Sequence, residues 1–203
     1  FHALVVLLIG GGQSLDDLGI DYIEAGNPTS NPKDLEFFER VQRMNLRHAK
    51  IVAFGSTCHK KSAPEQDVYV NALLSANTAA VAIFGKSWDF QVTDIIQTTL
   101  EENLRMIEDT VRYCREKGRE VIFDAEHFFD GYKSNPEYAL MALQAASSGG
   151  ASSLVLCDTN GGAMPDEVRR ITARVKAEFP EKSIGIHCHN DCGLAVGNSL
   201  EAV

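Results

Sequence analysis

Short apolar segments rich in β-branched residues recur along this chain, and helical patterns separate them. This recurrence restricts the possible fold more than any other feature of the sequence. The segments are Leu4–Ile9, Asp21–Glu24, Lys50–Phe54, Ala80–Phe84, Glu120–Asp124, Ser153–Cys157 and Ser183–Ile186. They lack strict apolar–polar alternation, which is typical of strands covered on both faces. Strands that alternate with helices predict an α/β fold with a parallel sheet.

The helical patterns between these strands have recognisable starts and stops. After Thr99, apolar residues recur every three or four positions up to Cys114, which predicts one buried helix face. Thr99 and Glu102 have the spacing of a capping box, and Gly118 supplies a stop. Three other helices are predicted to begin at Pro32, Pro136 and Pro165. Strand–helix units of roughly 30 residues favour a (β/α)₈ TIM barrel over a doubly wound open sheet.

Two parts of such a barrel are missing from the pattern. Ile9 and Asp21 are too close for a full crossover helix, which needs at least about 10–12 residues. The intervening Leu15–Gly19 has the pattern of a helix end. The chain also stops inside the helix after the seventh strand, so the eighth strand is absent. We therefore expect residues 1–203 to form a single, partial TIM-barrel domain.

Composition argues against several classes of partner. The net charge is −9, and the lysines and arginines form no cluster, which argues against nucleic acid and anionic membranes. The apolar run Ala3–Ile9 is too short to span a bilayer and lacks the basic residues of a signal peptide. The five cysteines have no regular spacing, which indicates reduced thiols in the cytoplasm.

Polar side chains follow the predicted strands at their carboxyl ends, where the active site of a (β/α)₈ barrel lies. These ends carry Glu24–Asn27, Asp124–His127, Cys157–Asn160 and His187–Asp191. His187 and His189 are the sharpest signal, because residues i and i+2 of a strand share a face. Two adjacent imidazoles, with room for oxygen ligands, suit one divalent metal ion, and zinc, manganese and magnesium all remain open.

Several stretches resemble the isopropylmalate, homocitrate and citramalate synthases, a family of metal-dependent barrels that condense acetyl-CoA with a 2-oxo acid. Residues 185–199, beginning Gly-Ile-His-Cys-His-Asn-Asp, resemble the second signature of that family, in which both histidines bind the metal. Residues 123–133, 156–162 and 21–26 resemble the citramalate synthase branch most closely. The resemblance covers about residues 15–203.

The resemblance implies a reaction and a role for each site residue. The reaction is a Claisen condensation of acetyl-CoA with pyruvate to citramalate and CoA, in isoleucine and leucine biosynthesis, by a cytoplasmic homodimer. His187 and His189 correspond to the metal-binding histidines. Thr159 corresponds to a threonine that hydrogen-bonds the 2-oxo acid carboxylate. Glu126 and Glu24 correspond to glutamates near the substrate and the metal, and are the catalytic candidates.

These last three residues also have structural interpretations. Glu126 is alternatively a rim carboxylate paired with a lysine or arginine. Thr159 is alternatively a turn or helix-capping hydroxyl, and Glu24 part of a buried ion pair.

Several neighbours of the site residues are assigned supporting roles. Asp124 and Asp158 are interpreted as structural, and Asn190 and Asp191 as residues that orient the two histidines. Cys188 lies between the histidines and should face the opposite side of the strand.

The sequence departs from the family at its first signature. A Leu-Arg-Asp-Gly or Leu-Arg-Glu-Gly segment, which supplies a metal ligand and a substrate-binding arginine, should end the first strand, but Gly10–Gln13 stands there. An asparagine ligand expected after strand eight would lie beyond Val203. We therefore expect weak metal binding by this chain alone. Three alternatives stay open: an isopropylmalate or homocitrate synthase, a hydroxymethylglutaryl-CoA lyase-like carbon–carbon lyase, and a non-catalytic barrel.

Overall fold

Six parallel strands form one sheet in which spatial order follows chain order. The structure, a computed structural model, describes residues 11–28, 32–41, 43–44 and 46–203; the predicted strand Leu4–Ile9 lies outside them. The strands are β1 Tyr22–Glu24, β2 Lys50–Ser56, β3 Ala80–Lys86, β4 Glu120–Glu126, β5 Ser153–Asp158 and β6 Ser183–Cys188. Sequential parallel order belongs to a (β/α)₈ barrel, whereas a doubly wound sheet reverses its order. The predicted α/β barrel fold is confirmed as a curled, partial barrel.

Helices connect the strands. They are α1 at 11–17, α2 Pro32–Val41, α3 Val68–Ser75, α4 Leu100–Glu116, α5 Phe128–Ser134, α6 Pro136–Gly149, α7 Pro165–Glu178 and α8 Ala195–Glu201. The predicted helix starts at Pro32, Pro136 and Pro165 are confirmed. The predicted helix end at residues 15–19 is also confirmed, since α1 gives way to Gly19 at a positive φ of 84°. No helix in the described ranges is long and apolar enough to cross a bilayer.

The predicted capping box of α4 is half present. The Thr99 hydroxyl accepts a hydrogen bond from the Glu102 N–H at 3.1 Å, as predicted. The Glu102 carboxylate, however, accepts hydrogen bonds from the Lys61 N–H at 2.6 Å and from Arg105 at 2.8 Å. These two contacts lower the pKa of Glu102 to about 2. The carboxylate therefore joins α4 to the loop after β2.

A buried aspartate joins α1 to the start of β2. Asp16 is fully buried, and its carboxylate accepts hydrogen bonds from the backbone N–H groups of Arg47, His48 and Ala49 at 2.7–2.8 Å. The bonds to Ala49 and Arg47 lower its pKa, because they stabilise the charged form. The segment that leads into β2 is thereby held against α1.

Side chains of each strand alternate between two apolar layers. The outer layer lies between the sheet and the helices, and Phe123 and Leu154 pack there against Ile107 of α4 and Leu143 of α6. The inner layer lies on the concave side of the sheet. It contains Val52, Ala80 and Ala82, with Phe54 and Ile122 packed against them. Both faces are apolar, which explains why the strands lack an alternating pattern.

Gly149, at the end of α6, allows close contact with α4. A Cβ at this position would lie 2.6 Å from the Glu108 carbonyl oxygen and 2.8 Å from Val111 Cβ.

We expect Gly149→Ala to lower the free energy of unfolding by about 1–3 kcal/mol, the usual cost of overpacking. A Cβ at Gly197 in α8 would meet no atom within 4 Å. Gly197→Ala should therefore be neutral or stabilise by up to about 1 kcal/mol, because alanine restricts the unfolded chain. Urea unfolding of the two variants measures the difference, and equal effects would contradict this packing.

Candidate active site

A cavity of about 260 Å³ opens at the carboxyl ends of the strands, on the concave side of the sheet. Its lining residues are Phe54, Phe84, Asp124, Glu126, Cys157, Thr159, His187 and His189. Four of the five sequence-predicted site residues thus share one cavity. The fifth, Glu24, ends β1 and does not line it; its side chain is exposed, although its charge acts on Asp124.

Strand register brings these side chains together. Cys157 of β5 pairs with His187 of β6, Lys86 of β3 pairs with Glu126 of β4, and Phe84 pairs with Asp124. Paired residues of neighbouring strands point to the same face, as do residues i and i+2 of one strand. The alternation that sends Phe123 outward therefore sends the residues on either side of it inward.

The two histidines lie side by side at the end of β6. Their ring centroids are 5.2 Å apart, with 39° between the ring planes. The His189 N–H donates to the Asp158 carbonyl oxygen at 3.2 Å, which continues the strand pairing past His187. Partial desolvation and the neighbouring His189 lower the pKa of His187. A lower pKa favours the neutral imidazole, which is the form whose lone pair can bind a metal ion.

The donor atoms in the cavity fit a divalent metal ion. Ligand atoms of Asp124, Cys157 and His187 all lie within 4.8 Å of one another. Burial, and secondarily the charge of Glu24, raises the pKa of Asp124 to about 7. A nearby cation would offset the cost of charging this carboxylate.

Glu126 faces the cavity and is also held by a cation. Its carboxylate forms an ion pair with the Lys86 ammonium, and both side chains are largely buried, at 24% and 18% exposed. The Ser87 hydroxyl donates to the Glu126 carbonyl oxygen at 2.7 Å, which fixes the backbone there. Pairing with a lysine agrees with the structural interpretation of Glu126, whereas its place in the cavity keeps the substrate-side role open.

The Thr159 hydroxyl joins the loops after β4 and β5. Its Oγ1 accepts a hydrogen bond from the His127 N–H at 2.9 Å. Because a hydroxyl both accepts and donates, its own hydrogen stays available to a ligand in the cavity. His127 adopts a left-handed conformation with φ 55°, and its ring packs against Trp88 at 5.7 Å. Its side chain therefore packs against an aromatic ring.

The predictions for Asp158 and Cys188 are confirmed. Asp158 is structural as expected: it is buried and accepts from the N–H groups of Gly162 and Ala163 in the turn after β5. Cys188 does not line the cavity and contacts Ser199 of α8, as the strand alternation requires.

Asn190 and Asp191 do not act on the histidines as expected. Within the described ranges, neither side chain hydrogen-bonds to His187 or His189. Asn190 instead accepts from the Ala195 N–H at 3.1 Å, at the start of α8. The physical reason is that both lie past the end of β6, where the chain turns away from the sheet.

Sequence reasoning missed two polar residues of the cavity and its aromatic wall. Asp124 was interpreted as structural, yet it lies beside His187, and Cys157 was assigned no role. For Asp124 the signal was available: it precedes Glu126 by two positions on β4, so the two side chains share a face. Cys157 lies beside His187 only through the pairing of β5 with β6, which the sequence does not show. The aromatic wall consists of Phe54 and Phe84, whose rings stack 5.2 Å apart; it carried no comparable signal.

Comparisons with known proteins find clear relatives of this chain. The family model described as HMGL-like matches residues 12–203. The (R)-citramalate synthase of Aquifex aeolicus is 56% identical over 94% of this chain and 36% of that protein. The Synechocystis (R)-citramalate synthase is 51% identical over 93% and 36%. A homocitrate synthase of Saccharolobus solfataricus is 32% identical over 94% and 40%. The chain thus spans little more than a third of the length of these relatives.

Solved structures agree on the fold. The hydroxymethylglutaryl-CoA lyase of Bacillus subtilis superposes with a TM-score of 0.76 at 19% identity, over 98% of this chain and 66% of that chain. The enzyme of the same name from Brucella melitensis gives a TM-score of 0.74, also at 19% identity, over 96% and 68%. At this identity the likeness extends to the fold alone.

Asp124 should make the stability of the metal-free protein depend on pH. The folded chain keeps the Asp124 proton up to a pKa of about 7, whereas the unfolded chain loses it near 3.8. The folded state therefore binds more protons between these values, and its free energy of unfolding falls as the pH rises through that window. Asp124→Asn should remove the Asp124 contribution to this slope, because an amide does not titrate, and should leave that of Glu24, whose pKa is also raised, by partial desolvation.

Urea unfolding in the presence of a chelator, repeated across this pH range, measures the slope. Glu24→Gln is the matched control. It should move the midpoint to lower pH without removing the slope, because Glu24 contributes only part of the shift. An unchanged slope in Asp124→Asn would exclude this carboxyl as its source.

Proposed function

This chain belongs to the HMGL-like family, and on that premise we propose that it forms much of the catalytic barrel of a divalent-metal-dependent acyltransferase that condenses acetyl-CoA with pyruvate to citramalate and CoA. The observation that carries the proposal is the convergence of two imidazoles, a carboxylate and a free hydroxyl donor on one cavity of about 260 Å³. The choice of pyruvate is supported by relatives. Five (R)-citramalate synthases are 45–56% identical to this chain, against 31–32% for the homocitrate synthases.

His187 and His189 would hold the metal ion, with carboxylate and water oxygens as further ligands. When bound, the metal would supply Lewis-acid polarisation of the 2-oxo acid carbonyl, which is worth several kcal/mol. Zinc, manganese and magnesium each remain compatible with this donor set. The expected homodimer and cytoplasmic location belong to the same proposal.

Thr159 positions the 2-oxo acid. Its Oγ1 already accepts from the His127 N–H, so its O–H donates to the substrate carboxylate. A hydrogen bond to a charged group contributes about 1.5–3 kcal/mol. Phe54 and Phe84 face this position as an apolar wall. The wall suits the methyl group of pyruvate.

Glu126 is the candidate proton acceptor. The reaction removes a proton from the acetyl methyl group, and the resulting carbanion carbon bonds to C2 of the 2-oxo acid. The π bond of the C2 carbonyl opens in this step, and its oxygen takes up a proton to become the hydroxyl of the product. One oxygen of the Glu126 carboxylate is paired with Lys86, and the other can receive that proton. Hydrolysis of the thioester then releases CoA. Glu24 stays a secondary candidate, since it acts on Asp124 from outside the cavity lining.

Replacing either metal histidine should abolish CoA release. We expect the full-length protein to release CoA from acetyl-CoA when pyruvate and a divalent metal are present, and a chelator to stop it. His187→Ala and His189→Ala should each lower kcat/KM by more than about 100-fold, the upper range for losing a residue that only supports a metal ligand. Cys188→Ala is the matched control, because it lies between the histidines and faces away.

The same assay with other acceptors tests the proposed substrate. Release with 2-oxoisovalerate or 2-oxoglutarate but not pyruvate would replace pyruvate in the proposal. Cleavage of hydroxymethylglutaryl-CoA would favour a lyase. No turnover with any of them would favour a non-catalytic barrel.

Thr159→Val should raise KM for pyruvate by about 10–100-fold, which corresponds to losing one hydrogen bond to a carboxylate. The KM for acetyl-CoA should stay within about twofold. Thr159→Ser is the control, because it keeps the hydroxyl that serves both His127 and the substrate. Steady-state kinetics on both variants, with thermal unfolding as a check on the loop, separates substrate binding from folding. Equal KM values in Val and Ser variants would remove Thr159 from the substrate site.

A further inference from the structure

We propose that Cys157, Asp124 and His187 form a second ligand set that is selective for a thiophilic divalent cation such as Cd²⁺ or Zn²⁺. An ion bound there would use His187 and so prevent the catalytic metal ion from binding to His187 and His189 together. The binding part of this proposal stands on geometry alone. Only the inhibitory part rests on the proposed function. Such a site differs from the His187–His189 pair because it recruits a sulfur ligand and an additional carboxylate.

The three ligands come from three adjacent strands. Asp124 lies on β4, Cys157 on β5 and His187 on β6, and Cys157 and His187 are direct register partners. Their side chains therefore point to the same face from a rigid sheet. Rigid placement reduces the ordering that a bound ion would have to impose.

The distances suit a single ion. All three ligand atoms lie within 4.8 Å of one another. In a tetrahedral site, metal–ligand bonds of about 2.0–2.3 Å place the ligand atoms roughly 3.3–3.8 Å apart. Closing the remaining ångström or so needs only side-chain rotation. The fourth position is open to water or to a substrate oxygen.

The surroundings of Asp124 and Cys157 give an independent reason to expect a bound cation. Asp124 is 8% exposed and Cys157 is 6% exposed. The Asp124 carboxylate accepts no hydrogen bond from any residue in the described ranges, and the Cys157 thiol makes one weak contact, to the Val155 carbonyl oxygen at 3.9 Å. The Asp124 carboxylate thus faces the cavity with no protein cation or donor on it among the described residues, and a bound cation would compensate its charge.

The sulfur ligand sets the selectivity. Thiolates prefer Zn²⁺ and Cd²⁺ over Mg²⁺ and Mn²⁺, which favour oxygen ligands. Binding releases the thiol proton to solvent as the metal–sulfur bond forms, and no oxidation is involved. One imidazole nitrogen cannot bind two ions at once. A thiophilic ion that takes His187 therefore competes with any metal that uses His187 together with His189.

The binding test uses Cd²⁺ on the chelator-treated full-length protein. Thiolate binding produces an ultraviolet sulfur-to-cadmium charge-transfer band. The exposed Cys192 is replaced by serine in every sample, so that it contributes nothing. We expect the band to be weakened at least tenfold in Cys157→Ser and unchanged in Cys188→Ser, a neighbouring cysteine that faces the other way. Asp124→Asn should raise the Kd for Cd²⁺ at least tenfold. Cys157→Ala, which preserves a small buried side chain, serves if the serine variant does not fold.

The activity test separates this proposal from the proposed function. With saturating Mg²⁺ or Mn²⁺, added Cd²⁺ should inhibit CoA release. The fraction inhibited at a fixed Cd²⁺ concentration should be at least tenfold smaller in Cys157→Ser than in the parent protein, each measured against its own activity without Cd²⁺. Absence of any CoA release would overturn the proposed function but leave the spectroscopic test intact. A full cadmium band in Cys157→Ser, or equal loss in Cys188→Ser, would overturn the second ligand set.

Discussion

Side-chain alternation along parallel strands is the constraint on which the rest of this structure depends. In β4 the same rule sends Phe123 into the layer under the helices and Asp124 and Glu126 toward the concave side. A one-residue shift of β4 would reverse both outcomes: it would bury two carboxylates under α4 and α6 and move an aromatic ring into the cavity. Packing of the outer layer and assembly of the site are therefore decided together. The buried apolar side chains fix the register, and the polar ones follow from it.

The order and type of elements could be predicted because each rests on local chemistry. Pro136 and Pro165 lie in the first turn of their helices, where proline is favoured, and the short length of apolar runs such as β3 favours a buried strand. Glu102 shows where local reasoning ends. Its spacing from Thr99 specifies a capping box, but Lys61 and Arg105 compete for the carboxylate. Partners brought near only by the fold are outside what spacing can predict, as with Asp16 and the N–H groups more than 30 residues away.

The candidate site, too, could be predicted only where local spacing or the family resemblance pointed to a residue. His187 and His189 were identifiable because they are two residues apart on one strand, and Thr159 and Glu126 because of a family resemblance. The same-strand spacing places Asp124 on the face of Glu126, but its distance to His187 depends on two registers, β4 with β5 and β5 with β6, which the sequence does not show. The prediction that Asn190 orients the histidines was wrong for the opposite reason. It lies next to the histidines in sequence, but the chain leaves the sheet there, and its side chain turns to Ala195 instead.

The register pair of Lys86 and Glu126 has a consequence for how this site would respond to change. The two charges lie on neighbouring strands and compensate each other. Loss of the carboxylate alone would leave a largely buried ammonium without its counter-charge, which is costly. Positions 86 and 126 therefore form one electrostatic unit, and their substitutions should not be additive.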